Sequence, residues 1–162
     1  MPQQLPQVLP RHKQQRVLDW PKRLFAAVKK HDRGLVLGKS DCSQLALDCI
    51  DAVTGERPSI EIPAYVDEEG AQEVLHHLGV RTLIELPRQL FPEIHPVLAQ
   101  RGDIGISRYK GRNCLVVCEG PRFVGKVEDG LLRIPREQVY TAFAVGRPVA
   151  EDDTYLREGE VT

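Results

Sequence analysis

Apolar residues recur at helical spacing through the first half of the chain. Leu24, Phe25 and Val28 stand at steps of one to four after Asp19-Trp20-Pro21, an opening in which proline is tolerated in the first turn. Lys29 and Lys30 suit the negative end of that helix, which the pattern closes between His31 and Gly34. A second stripe of Cys42, Leu45, Ala46, Cys49, Ile50 and Val53 follows the capping residues Ser40 and Asp41 and stops at Gly55. A shorter helix is predicted from Asp67 to Gly79, with Val74, Leu75 and Leu78 on its apolar side. Thr82 and Glu85 read as a capping box for a fourth, which Pro87 limits or kinks.

The period changes after Arg101. IGIS (104–107), NCLVVCE (113–119), RFVGKV (122–127) and LLRI (131–134) are short β-prone runs separated by turns containing glycine, the pattern of an antiparallel meander. TAFAVG (141–146) is a last run that returns to the same sheet. Helices first and strands after predict an α+β domain, with the cysteine-bearing helix packed on an antiparallel sheet of about five strands. That domain spans residues 16–148. Residues 1–15, with three prolines and five glutamines, read as an extended N-terminal arm; 149–162 read as a loose polar tail. Pro58 and Pro63 mark an irregular stretch through Tyr65.

Composition narrows the function classes. The 162 residues fit one domain. Lys and Arg number 22 against 23 Asp and Glu, a net charge of -1, so no basic field holds nucleic acid or an anionic membrane. No run reaches the roughly 18 apolar residues of a membrane span, and the N-terminus lacks the apolar stretch of a secretory signal. Four cysteines, at 42, 49, 114 and 118, are few for a disulfide scaffold and read as free thiols of a protein made in the cytoplasm.

Chemistry concentrates at Cys42. It opens the second helix, where unpaired N–H groups and the positive end of the helix dipole favour a thiolate. Three roles stay open for it: a nucleophile, a metal or cluster ligand, or a small packing residue at the head of a core helix. As a ligand it would need Cys114 and Cys118, yet four residues along a strand separate those two by roughly 13 Å. No Cys-x-x-Cys spacing occurs, and neither cofactor nor metal is expected. A disulfide between Cys42 and Cys114 is a further alternative in an oxidising setting.

The motifs carry a resemblance. "DCSQLALDCI" (41–50), "RGDIGIS" (101–107) and "NCLVVCEG" (113–120) resemble, in order and spacing, the Asp-Cys-Ser helix start, the Gly-Asp strand entry and the histidine strand of NlpC-type cell-wall peptidases. With the Trp-containing first helix and "DGLLRIP", the set is similar over residues 17–146 to small proteins encoded near tail-tip genes in tailed phages and prophages, diverged relatives of the NlpC type. The resemblance implies a papain-like core with Cys42 at the nucleophile position. It also puts Cys114 where the family carries its catalytic histidine, and offers no imidazole or amide on the following strand, Arg122 to Gly125. A cysteine nucleophile needs a base, oriented by a third group. His95, in a loop before the Gly-Asp strand, is the spare candidate; His12, His31, His76 and His77 have no spacing that turns them to Cys42.

The resemblance therefore implies a structural subunit of a virion tail tip or baseplate, assembled in the host cytoplasm. Its expected partners are hub, distal-tail and fibre-type subunits, with peptidoglycan as a further one. The alternative is an active peptidoglycan hydrolase. Arg101-Gly102-Asp103 reads as a turn into the sheet rather than an adhesion motif, and Lys22, Arg23, Lys29 and Lys30 as the solvated face of the first helix.

Overall fold

The computed structural model describes residues 11–58 and 67–154. Helix α1, Trp20–Lys30, begins with Pro21 in its first turn and buries Leu24 and Val28, an i, i+4 pair on one face. Phe25 belongs to the predicted stripe but lies one step round the helix and is 63% exposed. Helix α2, Cys42–Thr54, is capped as the sequence predicts: the Asp41 carboxylate accepts from Gln44 N–H, and Gly55 closes the helix at φ 77°. A Cβ at Gly55 would meet Val17 Cγ1 at 2.7 Å, so both conformation and space demand glycine there. Helix α3, Glu68–His77, is capped by Asp67.

The predicted capping box is replaced by another arrangement. Helix α4 runs only from Glu85 to Leu90 and receives no side-chain cap; the Glu85 carboxylate accepts from Arg81 N–H at 2.6 Å instead of from Thr82. Pro87 falls in the first turn, where its missing N–H costs nothing.

Six strands follow: β1 Glu93–Ile94, β2 Ile104–Tyr109, β3 Arg112–Cys118, β4 Arg122–Val127, β5 Gly130–Pro135 and β6 Val139–Phe143. They form one open antiparallel sheet in the order β1-β6-β2-β3-β4-β5. The fold is α+β, and the sheet has one strand more than the five predicted. The extra strand is two residues between Pro92 and Pro96, paired with Ala142 and Phe143, too short for any alternation to register.

Helix α2 packs on α1 and across β3 and β4. Leu45, Cys49, Ile50 and Val53 meet Leu115, Val117 and Val124 of the sheet in one core. Residues of the other strand parity, Val116, Cys118 and Phe123, join Ile94, Val139 and Ala142 in a second core on the opposite face. Both faces of the sheet centre are therefore covered.

Asp103 ties these parts together. It is fully buried and accepts from Arg16, Arg147 and the N–H groups of Val145 and Gln100, at 2.6 to 3.2 Å. The Arg16 guanidinium also lies 4.5 Å from the Trp20 ring centroid. Gly102 has φ 96°, and a Cβ there would meet that guanidinium at 3.1 Å. The Arg-Gly-Asp tripeptide, with Arg101 exposed and Gly102 and Asp103 buried, is thus a turn into β2.

Of the residues assigned to the N-terminal arm, 1–10 lie outside the described residues, while 11–15 run along the domain. His12 N–H donates to Leu90 O, and its ring sits 2.9 Å from Thr54 Oγ1 and edge-on to Phe91. Thr154 bridges to Ile94; the tail from 155 and the stretch 59–66 are also outside the described residues. Removing the Asp103 carboxylate leaves two arginines facing each other without their counter-charge, so Asp103→Ala is expected to cost about 3–5 kcal/mol, read as a lowered urea midpoint; an unchanged midpoint would show that the network is not a stabilising one.

Candidate functional site

The head of α2 reaches the sheet at β3. Pairing of β3 with β4 runs from Val116–Gly125 to Cys118–Phe123 and does not include Leu115, so the strands part there. Into that gap comes Cys42, whose sulfur accepts the Leu115 N–H and makes a side-chain hydrogen bond with Cys114. The two cysteines that the resemblance aligns with nucleophile and histidine positions interact with each other. Both are free thiols and partly buried, whereas Cys49 and Cys118 are completely enclosed.

The electrostatics run opposite to the expectation for a helix-head thiolate. Cys42 is pushed well above the ordinary thiol value, first by its hydrogen bond with Cys114, then by burial and the nearby Cys114 charge; the Leu115 N–H only partly offsets this. Asp41 adds to the rise, and its carboxylate already takes Gln44 N–H at 2.9 Å and Gly38 N–H at 2.8 Å. The positive end of the helix is thereby neutralised by its own cap before it can serve the thiol. Cys114 is held down to about 7 by the hydrogen bond from Cys42, aided by the Arg112 guanidinium. Cys114 is the more acidic member of the pair. Arg112 is in turn paired with Glu68 at the start of α3.

No described histidine joins this pair. His95 is exposed and its Nδ1 accepts from Val97 N–H at 3.1 Å, capping a short turn of helix at Pro96–Leu98. It follows β1, three strand positions from β3, roughly 14 Å at ordinary strand spacing. His76 and His77 are exposed on α3, and His12 is engaged with Thr54.

His31 proves to be the centre of a different cluster. Fully buried, it holds Ser40 Oγ at 2.9 Å through Nδ1 and Asp48 Oδ2 at 2.6 Å through Nε2. Arg57 and Lys30 also pair with Asp48, whose carboxyl is held below its usual range by these donors against the penalty of burial. The cluster locks the end of α1 to both ends of the segment that opens α2. Its members lie 9 and 17 positions from His31, and only the N-cap character of Ser40 signals any of them in the sequence.

What the Cys42–Cys114 pair can do follows from its parts. Two thiols with one shared charge support exchange and oxidation, whereas acyl transfer requires a base able to cycle a proton. Among the described residues no group of three or more His, Cys, Asp and Glu is arranged to hold a metal ion, and no helix is long and apolar enough to cross a membrane. In the folded protein at pH 7, iodoacetamide is expected to modify Cys114 before Cys42, at roughly ten times the rate of an unperturbed thiol. The rate should rise with pH through a midpoint near 7, because the thiolate forms as pH climbs through the folded value. Mass mapping that found Cys42 alkylated first would reverse the assignment.

No curated protein and no solved structure matches the sequence. A family model described as a domain of unknown function, DUF6950, matches residues 15–145. That span takes in Arg16, all four helices, the whole sheet and both members of the thiol pair, and the chain belongs to the DUF6950 family.

Proposed function

We propose that the chain is a structural subunit of a phage tail tip or baseplate, built on a papain-like, NlpC-type core that has lost hydrolase activity. The order of a cysteine-headed helix followed by antiparallel strands agrees with such a core. The observation that carries the loss of activity is the contact between Cys42 and Cys114: a thiol stands where the resembled family has its imidazole. It holds the Cys42 proton rather than removing it. The expected partners are neighbouring hub, distal-tail and fibre-type subunits, in a virion assembled in the host cytoplasm; glycan or stem peptide binding in the degenerate cleft is compatible with this role.

Purified peptidoglycan incubated with the wild-type protein should release no more soluble peptide than with Cys42→Ala. Fragments from the wild type and none from the variant would instead establish the active-hydrolase alternative. Mass spectrometry of purified particles from a phage or prophage encoding the chain should find it at tail-tip stoichiometry, and its absence from intact particles would overturn the structural role.

The contact also predicts a gain. Cys114→His puts an imidazole beside the Cys42 sulfur, where an imidazolium favours the thiolate. Alkylation of Cys42 at pH 7 should rise about tenfold or more over the wild type. An unchanged rate would mean that residue 114 does not occupy the position of the family's base.

A further inference from the structure

The thiol pair has chemistry that a packing role does not use. Cys42 and Cys114 stand 72 positions apart in the chain, 114 less 42, on a helix head and a strand, yet their side chains interact by a hydrogen bond. The other two cysteines serve as internal controls: Cys49 and Cys118 are both fully enclosed, with neither placed against a second thiol among their described partners. Only at the parting of β3 from β4 does a thiol contact coincide with partial exposure.

We propose that Cys42 and Cys114 form a reversible intramolecular disulfide on reaction with a hydroperoxide, with Cys114 the sulfur oxidised first and Cys42 the resolving thiol. Cys114 leads because it loses its proton at about 7 and sits beside the Arg112 guanidinium, conditions that mark a peroxide-sensitive thiol. Its thiolate attacks one oxygen of hydrogen peroxide and the O–O bond breaks. The departing hydroxide takes a proton and leaves as water, and the sulfur is left as a sulfenic acid. The Cys42 thiol then attacks that sulfur; the S–O bond breaks, the S–S bond forms, and the oxygen departs as a second water with the Cys42 proton. The two thiols lose two electrons and the peroxide gains them.

Closing the bond draws two hydrogen-bonded sulfurs to about 2.05 Å. Cys42 is the first residue of α2, where helix hydrogen bonding is least complete and the backbone most able to follow. The cross-link would join the helical layer to the sheet across a long loop and so restrict the unfolded chain. The proposal goes beyond the tail-tip reading and does not rest on it.

The test uses the full-length wild-type protein at pH 7, treated with a small excess of hydrogen peroxide and then denatured for thiol counting. Two of the four thiols are expected to disappear together, with mapping that joins the peptides of Cys42 and Cys114, and dithiothreitol should restore both. The oxidised protein should melt about 5–15 °C higher than the reduced one. Cys42→Ser should retain a sulfenic acid on Cys114, trapped by dimedone, while Cys114→Ser should consume no peroxide above background. Persistence of all four thiols, a disulfide between two chains, or a dimedone adduct on Cys42 in the wild type would each overturn the proposal. The wild-type measurement decides even if a serine variant fails to fold.

Discussion

The contact from which the site follows is the apolar face of α2 pressed across β3 and β4. Leu45, Cys49, Ile50 and Val53 follow the helical period on one face, and of the strand residues they meet, Leu115 and Val117 stand two apart on β3, with Val124 on β4 beside them. Two incommensurate periods are satisfied at one interface because the helix lies over adjacent strands rather than along one. Once the stripe is buried, the helix has no freedom to slide, since a shift along its axis would take Leu45 and Val53 off the sheet. The first residue is then delivered to the place where β3 leaves β4. Burial positions the sulfur; the backbone N–H of Leu115 receives it.

The electrostatic outcome at that point turns on which group reaches the helix end first. An N-terminal helix dipole and a thiol in the first turn ordinarily combine to give a thiolate. Here the carboxylate of Asp41 is one residue nearer and takes the free N–H of Gln44 together with the Gly38 N–H that precedes the helix. A capped helix end carries little field for the next residue, and the cap contributes a negative charge of its own. The thiol farther from the cap, on the strand and beside Arg112, becomes the more acidic of the two. The same carboxylate that makes α2 start cleanly removes the reason to expect a nucleophile at its head.

Most of this layout is legible in the sequence, and what is not has definite causes. Helix caps at Asp41, Asp67 and Gly55 are written in single residues whose side chains or conformations act locally, so they are read correctly. Five strands show through their alternation and glycine turns. β1 does not, because two residues carry no period. The Thr82–Glu85 box misleads because Glu85 finds the N–H of Arg81 rather than that of Thr82, a choice of one backbone group over its neighbour that propensity does not encode. At the site, the resemblance aligns Cys114 with a histidine position, but the acidity of the pair depends on Asp41, Leu115 and Arg112 together, a three-dimensional coincidence. The Asp103 network lies between these cases: the Gly-Asp turn is readable, while its partners Arg16 and Arg147 come from 87 and 44 residues away.

Ser40, His31 and Asp48 have the residue types and hydrogen-bond order of a hydrolytic triad, so the choice of the thiol pair as the reactive locus requires a physical reason. Chemistry of the triad type needs the nucleophilic oxygen at a surface that substrate can approach, with the imidazole free to pass its proton onward. Ser40 and His31 have no solvent exposure, and the Ser40 backbone is tied to Val36 in a tight bridge. The Asp48 carboxylate is further shared with Arg57 and Lys30, which fixes its position against α1 and α2. Every polar atom of the cluster is spent on holding two helices and their connection in register. Cys114 differs in being partly open, and in sharing a proton with a partner that a single bond can replace. Accessibility, rather than the identity of the residues, assigns structure to one cluster and reactivity to the other.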